Sequence, residues 1–271
     1  MRVFGIIGYP VGHSLSPAMH NAALRALGLE GVYGAFEVHP EDLPAAVAGI
    51  RALGIGGVSV TVPHKETILP YLDELDPVAR EIGAVNTVLN LGDRLKGTNT
   101  DWLGVKRSLE EAGVELRGRK AVVIGAGGAA RAVVYALRRM GAEVAIYNRT
   151  PERARRLARE LGGRGYPLEE IGEASGELIV QTTSVGLESW ESPVPEEIFS
   201  RFRVAMDIVY RPLRTRFLSQ AEAAGCRVID GLRMLVHQGA EQFRLFTGRE
   251  APVETMYQAA LEVLEGGEKG R

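Results

Sequence analysis

The 271-residue chain has one cysteine, almost no net charge and no long apolar run. A single cysteine, Cys226, excludes an intrachain disulfide framework and fits a reducing compartment. The formal charge of −2 provides no basic surface for nucleic acid. The apolar stretches are too short to span a bilayer, and no signal-peptide core follows Met1. We therefore expect a cytoplasmic globular protein with neither a nucleic-acid nor a membrane partner.

What the chain has is glycine and alternating apolar segments. Its 33 glycines and 45% apolar residues are typical of an α/β protein, and 271 residues suffice for two domains. Alternating strand and helix patterns imply mostly parallel sheets covered by helices. We predict an N-terminal α/β substrate domain over 1–101 and a Rossmann-type NADP-binding domain over 102–237, with a cleft between them. C-terminal helices over 238–271 are expected to return to the first domain.

Residues 121–150 have the pattern of a strand, a glycine-rich turn, a helix and a second strand. Gly125 permits a tight turn, Gly127 lets the backbone approach a pyrophosphate, and Ala130 allows close packing of helix on strand. The helix N-terminus offers unpaired N–H groups to phosphates. The pattern predicts a dinucleotide-binding turn made of Gly125, Ala126, Gly127, Gly128 and Ala129.

The end of the second strand indicates which dinucleotide binds. An NAD enzyme has an acidic residue about 20 positions after the turn, which bonds the ribose 2′-hydroxyl. Here Asn148, Arg149 and Thr150 occupy that position, and Arg153 follows one helical turn later. A guanidinium suits a 2′-phosphate, so the sequence predicts NADP. The alternative is a packing turn followed by two solvated arginines, but the flanking strand and helix favour the dinucleotide interpretation.

Polar residues follow several predicted strands of the first domain, where ligands of open α/β sheets gather. Each has an ordinary structural alternative: Ser16 and Asp101, for example, suit helix N-caps. Their convergence favours a site for a small polyhydroxylated carboxylate. No histidine or cysteine pair has metal-ligand spacing, so we assign no metal. The predicted lining consists of Ser14, Ser16, Thr61, Lys65, Asn86 and Asp101.

Seven segments in a fixed order carry a family resemblance. They are 8–21 (GYPVGHSLSPAMHN), 60–65 (VTVPHK), 83–87 (GAVNT), 97–101 (GTNTD), 125–129 (GAGGA), 148–150 (NRT) and 231–238 (GLRMLVHQ). Together they resemble the signatures of shikimate dehydrogenases, and the resemblance runs from Gly5 to about Phe246. It implies NADPH-dependent reduction of 3-dehydroshikimate to shikimate, on the chorismate pathway to aromatic amino acids.

The resemblance also implies roles for individual residues. Lys65 and Asp101 would be the catalytic pair. Because reduction of a ketone builds negative charge on its oxygen, we assign Lys65 as the general acid and Asp101 as the group that orients it. The implied substrate ligands are Ser14, Ser16, Thr61, Asn86, Tyr210 and Gln238. The implied cofactor neighbours, besides the turn and Arg149, are Thr183, Ser184, Ile208, Gly231 and Met234.

Two positions depart from the family pattern. Gln181 stands where the family usually has asparagine, and Trp102 stands where glycine is common. Three alternatives remain open: a quinate/shikimate dehydrogenase of broader substrate and cofactor choice, a non-catalytic NADP-binding regulator, and a folate-linked dehydrogenase. The sequence is compatible with a homodimer but does not select an oligomeric state.

Overall fold

The computed structural model describes residues 1–187 and 189–268. The chain forms two compact units: the first is Met1–Thr100 with the segment from Val236 onward, and the second is Asp101–Leu235. The end of the predicted C-terminal segment, 269–271, lies outside the described residues. Among the helices in the described ranges, none combines the length and apolarity needed to cross a membrane.

The first unit contains a six-stranded mixed sheet in the order β2-β1-β3-β5-β6-β4. Three of its pairings are parallel, whereas β5 runs antiparallel to both β3 and β6. The strands are β1 (Arg2–Gly8), β2 (Gly31–Glu37), β3 (Gly57–Val60), β4 (Glu74–Leu75), β5 (Thr87–Asn90) and β6 (Leu95–Thr98). The helices are α1 (Ser16–Ala26), α2 (Leu43–Ala52), α3 (His64–Thr67), α4 (Pro77–Ile82) and α10 (Val253–Glu268).

The second unit contains a six-stranded, fully parallel sheet in the order β12-β11-β10-β7-β8-β9. This order confirms the predicted Rossmann-type fold, with its topological switch between β7 and β10. The strands are β7 (Lys120–Ile124), β8 (Glu143–Asn148), β9 (Arg164–Pro167), β10 (Gly176–Gln181), β11 (Phe202–Asp207) and β12 (Arg227–Ile229). The helices are α5 (Asp101–Glu111), α6 (Gly128–Arg139), α7 (Pro151–Leu161), α8 (Arg216–Ala223) and α9 (Gly231–Thr247), and α9 continues into the first unit.

Both faces of the second sheet are buried, because the helices that connect its parallel strands cover them. Successive residues of β7 point to opposite faces: Val123 packs in one core with α6, and Val122 packs in the other with Phe199. A strand covered on both sides is apolar throughout, as β7 is. Cys226 lies in the second of these cores, where its Sγ contacts backbone carbonyl oxygens and burial raises the pKa of its thiol.

Several predicted elements differ in the structure. The sequence pattern predicts one helix over 40–53, whereas the structure has a 3₁₀ turn, Pro40–Asp42, followed by α2. The pattern also predicts a strand over 203–210, but the strand ends at Asp207, whose carboxylate accepts a bond from the Val209 amide. The short strands β4, β6 and β9 were not predicted. Of these strands, β6 changes the topology of the first sheet most, because it forms an antiparallel hairpin with β5.

Candidate functional site

The predicted polar residues of the first unit gather at one edge of its sheet. Because β5 is antiparallel to its neighbours, its first residue, Thr87, lies opposite Ser59 of β3 and Thr98 of β6. Asn86 directly precedes β5, so it lies where β3 and β6 end. The apolar pattern of residues 84–89 predicts a strand that includes Asn86, and this prediction is wrong because β5 begins at Thr87.

Ser14, Ser16 and Thr61 lie after β1 and β3. Ser16 is buried and is the first residue of α1, but it does not cap the helix: Leu15 is at the N-cap, without a side-chain bond. Instead, the Ser14 hydroxyl accepts a bond from the Ser16 amide at 3.3 Å. The half-buried Thr61 lies against Gly8, where an added Cβ would be 2.4 Å from the Thr61 methyl. Glycine at position 8 therefore makes room for this threonine.

The segments that carry Lys65 and Asp101 are both tied to residues 85–86. Lys65 is half-buried in α3, and its carbonyl accepts a bond from Val85 N at 2.8 Å. Asp101 is buried and follows Thr100, whose amide donates to Asn86 Oδ1 at 2.7 Å. His64 ties α3 to the segment after β2, since its buried ring nitrogen Nε2 lies 2.7 Å from the Val38 carbonyl oxygen. His64 is thus a packing residue.

Asn86 is the centre of a buried hydrogen-bond network. Its Nδ2 donates to Thr100 Oγ1 at 3.0 Å and to Gln238 Oε1 at 3.2 Å. Its Oδ1 accepts from the Thr87 hydroxyl at 2.7 Å. Since Gln238 Oε1 faces Asn86, the Gln238 amide is oriented with its nitrogen on the opposite side. Two of the predicted substrate ligands, Asn86 and Gln238, therefore hold each other in position.

A second glutamine, Gln242, extends this network to Tyr33. Gln242 Nε2 donates to Thr87 Oγ1 at 3.0 Å, and its Oε1 accepts from the Ser59 hydroxyl at 2.6 Å. Ser59 Oγ in turn accepts from the Tyr33 hydroxyl at 2.6 Å. A directional chain of bonds thus runs from Tyr33 to two predicted substrate ligands, Asn86 and Gln238.

Two stacked aromatic rings lie at the Tyr33 end of this network. The His20 ring stacks on Tyr33 at 4.2 Å between centroids, and burial lowers the pKa of His20 to about 3. Burial also holds the pKa of Tyr33 above its usual value. Both rings are therefore neutral at physiological pH, and they support the chain of bonds without adding charge.

In the second unit, five predicted cofactor residues line one cavity of about 620 Å³. The cavity lies at the carboxyl ends of β7, β8 and β10, on the switch point of the sheet. The other predicted cofactor residues do not line it. The five that do are Gly125, Asn148, Arg149, Thr183 and Ser184.

The glycine turn has the backbone that its sequence requires. Gly125 has a φ of +113°, and a Cβ there would lie 2.5 Å from Thr182 Oγ1, so only glycine fits. Ala126 follows it, and Gly127 is the N-cap of α6, with open space where its Cβ would be. Gly128 and Ala129 are the first two residues of α6. The turn can thus present amide groups to a phosphate.

Arg149 and Arg153 lie at the N-terminus of α7. Both are exposed, and Arg149 precedes the N-cap residue Thr150. The Asn148 side chain donates to the Thr150 carbonyl at 3.0 Å, which fixes the backbone between them. A helix N-terminus beside two guanidiniums favours a dianion such as a 2′-phosphate. The residues at this site therefore fit NADP.

The remaining predicted residues form another group at the ends of β11 and β12. Gly231, the first residue of α9, approaches Ile208 so closely that a Cβ would lie 2.5 Å from the Ile208 carbonyl oxygen. Met234 is buried one turn later in α9. Tyr210 is half-buried, and burial raises its pKa to about 12, so the phenol stays protonated.

Asp207 fixes the loop that follows β11 and was not among the predicted site residues. Its buried carboxylate accepts from Val209 N at 2.9 Å and from Thr215 Oγ1 at 2.7 Å. Burial raises the pKa of Asp207 to about 7. The sequence did contain signals for both missed residues: Asp207 ends an apolar strand, and Gln242 lies four positions after Gln238 on one face of α9.

Comparison with known proteins identifies relatives over nearly the whole chain. Family profiles described as the shikimate dehydrogenase substrate binding domain, shikimate/quinate 5-dehydrogenase and the shikimate 5′-dehydrogenase C-terminal domain match residues 6–88, 107–189 and 231–261. A curated relative from Thermococcus kodakarensis, named shikimate dehydrogenase (NADP(+)), is 52% identical over 264 residues and covers 96% of each chain.

Solved structures agree with this result. Shikimate 5-dehydrogenase from Thermus thermophilus, in complex with NADP(H) and shikimate, is similar with a TM-score of 0.90 at 49% identity, covering 97% of this chain and 100% of that one. Quinate dehydrogenase from Corynebacterium glutamicum, in complex with NAD, has a TM-score of 0.87 at 31% identity, covering 96% and 99%.

Replacing Gln242 tests the buried network. Gln242→Met keeps the volume but leaves the buried Ser59 hydroxyl without its acceptor, and we expect a loss of about 2 kcal/mol in the free energy of unfolding. Denaturant unfolding measures it. Gln258→Met, at an exposed glutamine of α10, is the control and should change stability by less than about 0.5 kcal/mol. Equal effects of the two substitutions would contradict the network.

Replacing Asp207 tests its burial. Its pKa is raised in the folded state, so between about pH 4 and 7 the folded chain binds a proton that the unfolded chain does not. Its contribution to stability therefore falls as the pH rises through this range. Between pH 4 and 8, we expect the free energy of unfolding of wild type to fall by on the order of 4 kcal/mol relative to that of Asp207→Asn. Denaturant unfolding at several pH values measures this difference. An equal pH dependence of the two free energies would refute the raised pKa of Asp207.

Proposed function

The chain belongs to the shikimate dehydrogenase family and is an NADP-dependent enzyme that interconverts 3-dehydroshikimate and shikimate, and we propose how its own residues carry out this reaction. The observation that carries the function is identity of about half the residues, over nearly the full length, to relatives named for this activity. The cavity that Gly125 and Arg149 share supports the same cofactor.

We propose that Lys65 transfers the proton. Bound NADPH supplies the hydride, and the ketone oxygen then gains negative charge. Lys65 donates a proton to this oxygen as the general acid, and Asp101 orients the Lys65 amine and accepts a bond from a ring hydroxyl. The anchoring of Lys65 on Val85 and of Thr100 on Asn86 supports this pairing, because the backbones at both groups are fixed by adjacent residues.

The substrate ligands are neutral hydrogen-bonding groups. We propose that Ser14, Ser16 and Tyr210 bind the carboxylate, and that Thr61, Asn86 and Gln238 bind ring hydroxyls. Neutral donors contribute modestly to affinity but recognise shape and hydroxyl pattern. The directional chain from Tyr33 to Gln238 supports the assignment of Asn86 and Gln238, because it limits the orientations in which their amides can meet a substrate.

For the cofactor, we propose that the turn 125–129 binds the pyrophosphate and that Arg149, with Asn148, Thr150 and Arg153, binds the 2′-phosphate. Thr183 and Ser184 form the facing wall of the adenosine part of the site. Ile208, Gly231 and Met234 are assigned to the nicotinamide side. The positive end of α7 beside Arg149 supports a 2′-phosphate over a plain hydroxyl.

Quinate oxidation with NAD is the second candidate, because a quinate dehydrogenase with bound NAD shares the fold. Its 31% identity is lower than the 52% shared with a relative named for shikimate and NADP(+). A non-catalytic regulator is disfavoured by the presence of both Lys65 and Asp101.

We also propose a cytoplasmic homodimer as the working form. The single buried thiol of Cys226 supports a reducing compartment. Sedimentation velocity of the purified chain measures the assembly, and fractionation of the source cells measures the location.

Removing the Lys65 amine should abolish proton transfer. We expect Lys65→Ala to lower kcat by at least about 100-fold, the lower range for general acid–base catalysis, with little change in cofactor affinity. The assay follows NADPH absorbance with 3-dehydroshikimate. Lys106→Ala, which removes a half-buried lysine paired with Glu110, is the control and should retain wild-type turnover. A Lys65→Ala enzyme within about tenfold of wild type would rule out the general-acid role.

Arg149 should set the preference for NADP. We expect Arg149→Ala to lower kcat/KM for NADP about 10- to 100-fold, the range of a lost charged hydrogen bond, and to leave kcat/KM for NAD nearly unchanged. Arg159→Ala, at an exposed arginine within α7, is the matched control. Parallel assays with shikimate and quinate separate the two candidate functions. An unchanged NADP/NAD ratio in Arg149→Ala would exclude the 2′-phosphate assignment.

A further inference from the structure

Gln181 is a buried polar residue outside the catalytic and binding assignments. It is the last residue of β10, its side chain is fully buried, and it differs from the asparagine of the family pattern. In β10 it lies between Ile124 of β7 and Asp207 of β11, at the switch point of the sheet. A buried amide is costly unless its donors and acceptor are all used.

The Gln181 amide is bonded to the loop that follows β10. Its Nε2 donates to the Val185 carbonyl at 2.8 Å and to the Thr183 carbonyl at 3.2 Å. Its Oε1 accepts from the Thr183 amide. The side chain thus bonds residues two and four positions ahead and bridges the whole turn.

The bridged loop is one wall of the cavity that contains Arg149. Thr183, Ser184 and Val185 all line this cavity. The Thr182 hydroxyl also supports the loop, since it donates to the Ile124 carbonyl at 2.6 Å and packs against Gly125. Within the loop, Thr183 Oγ1 accepts from the Val185 amide at 3.2 Å. The wall is therefore fixed to the sheet at its beginning by Thr182 and along its length by Gln181.

The reach to Val185 depends on the length of the Gln181 side chain. An asparagine at this position is one methylene shorter, so its amide cannot span the same four residues while keeping the bonds to Thr183. A loop held at two carbonyls loses less conformational freedom when a ligand binds than a loop held at one. Gln181 therefore fixes the wall before binding.

We infer that Gln181 is a positioning residue for the adenosine half of the cofactor, acting through the wall 183–185 and without contacting the ligand. This inference rests on the proposed NADP site. It assigns a role to a residue in which this chain departs from its family pattern, and it locates the effect in the half of the cofactor that carries the 2′-phosphate.

Calorimetric titration with cofactor fragments tests the inference. We expect Gln181→Asn to weaken binding of both NADP and 2′,5′-ADP by about 5- to 10-fold, the loss expected for one hydrogen bond, and Gln181→Met to weaken both further. Affinity for nicotinamide mononucleotide and kcat at saturating cofactor should stay within about twofold of wild type in Gln181→Asn, because neither depends on the wall. Ser108→Ala, which removes a buried bond within α5, is the matched control for stability alone.

The outcomes separate the inference from the proposed function. If Gln181→Asn lowers the melting temperature as Ser108→Ala does but binds 2′,5′-ADP like wild type, Gln181 is only structural and the inference is wrong. A larger loss for nicotinamide mononucleotide than for 2′,5′-ADP also overturns it. If wild type itself binds neither NADP nor 2′,5′-ADP, the proposed cofactor site fails instead. Because Gln181→Asn keeps a buried amide, the test stands even if Gln181→Met does not fold.

Discussion

The pairing of buried amides and hydroxyls is the constraint on which the substrate unit depends. Asn86 has almost no exposed surface, so each of its polar atoms must find a protein partner or cost stability. It finds them in Thr87, Thr100 and Gln238, and these connect three distant parts of the chain. Helix α9 therefore stabilises the first unit through buried hydrogen bonds as well as through apolar packing.

The same physics acts differently in the cofactor unit. There the sheet is parallel and apolar on both faces, so its polar contacts are confined to the strand ends. Gln181 and Asp207 end neighbouring strands, and each uses its side chain to bond the loop that follows. The last residue of each strand thus fixes the loop that follows it. These loops can therefore position a ligand through contacts that are local in the sequence.

The parts of the fold set by local sequence were predictable. The turn at Gly125 and the arginine at the end of β8 depend on neighbours within a few residues, and the structure has both where the pattern required them. The Rossmann-type fold of the second unit followed from the repeated strand and helix pattern, although its edge strand β9 was not predicted. Trp102 was noted only as a departure, and in the structure it packs edge-on against Tyr135 of α6 at 5.5 Å.

The antiparallel pairing of β5 with β6 was not predicted, because both strands are only four residues long and too short for a clear periodicity. A signal was present at Gly92-Asp93, where Leu91 N bonds the Arg94 carbonyl and Gly92 has a φ of +92°. Gln242 and Asp207 were missed for another reason. Their importance depends on partners such as Ser59 and Thr215, which only the folded chain brings to them.

The buried state of Cys226 has a practical consequence. Its thiol lies under the second sheet with a raised pKa, so little thiolate forms and reagents reach it slowly. A cysteine introduced at an exposed position would therefore react with a maleimide dye ahead of the native thiol. Site-selective fluorescent labelling can thus start from the natural chain, without first removing its own sulfhydryl group.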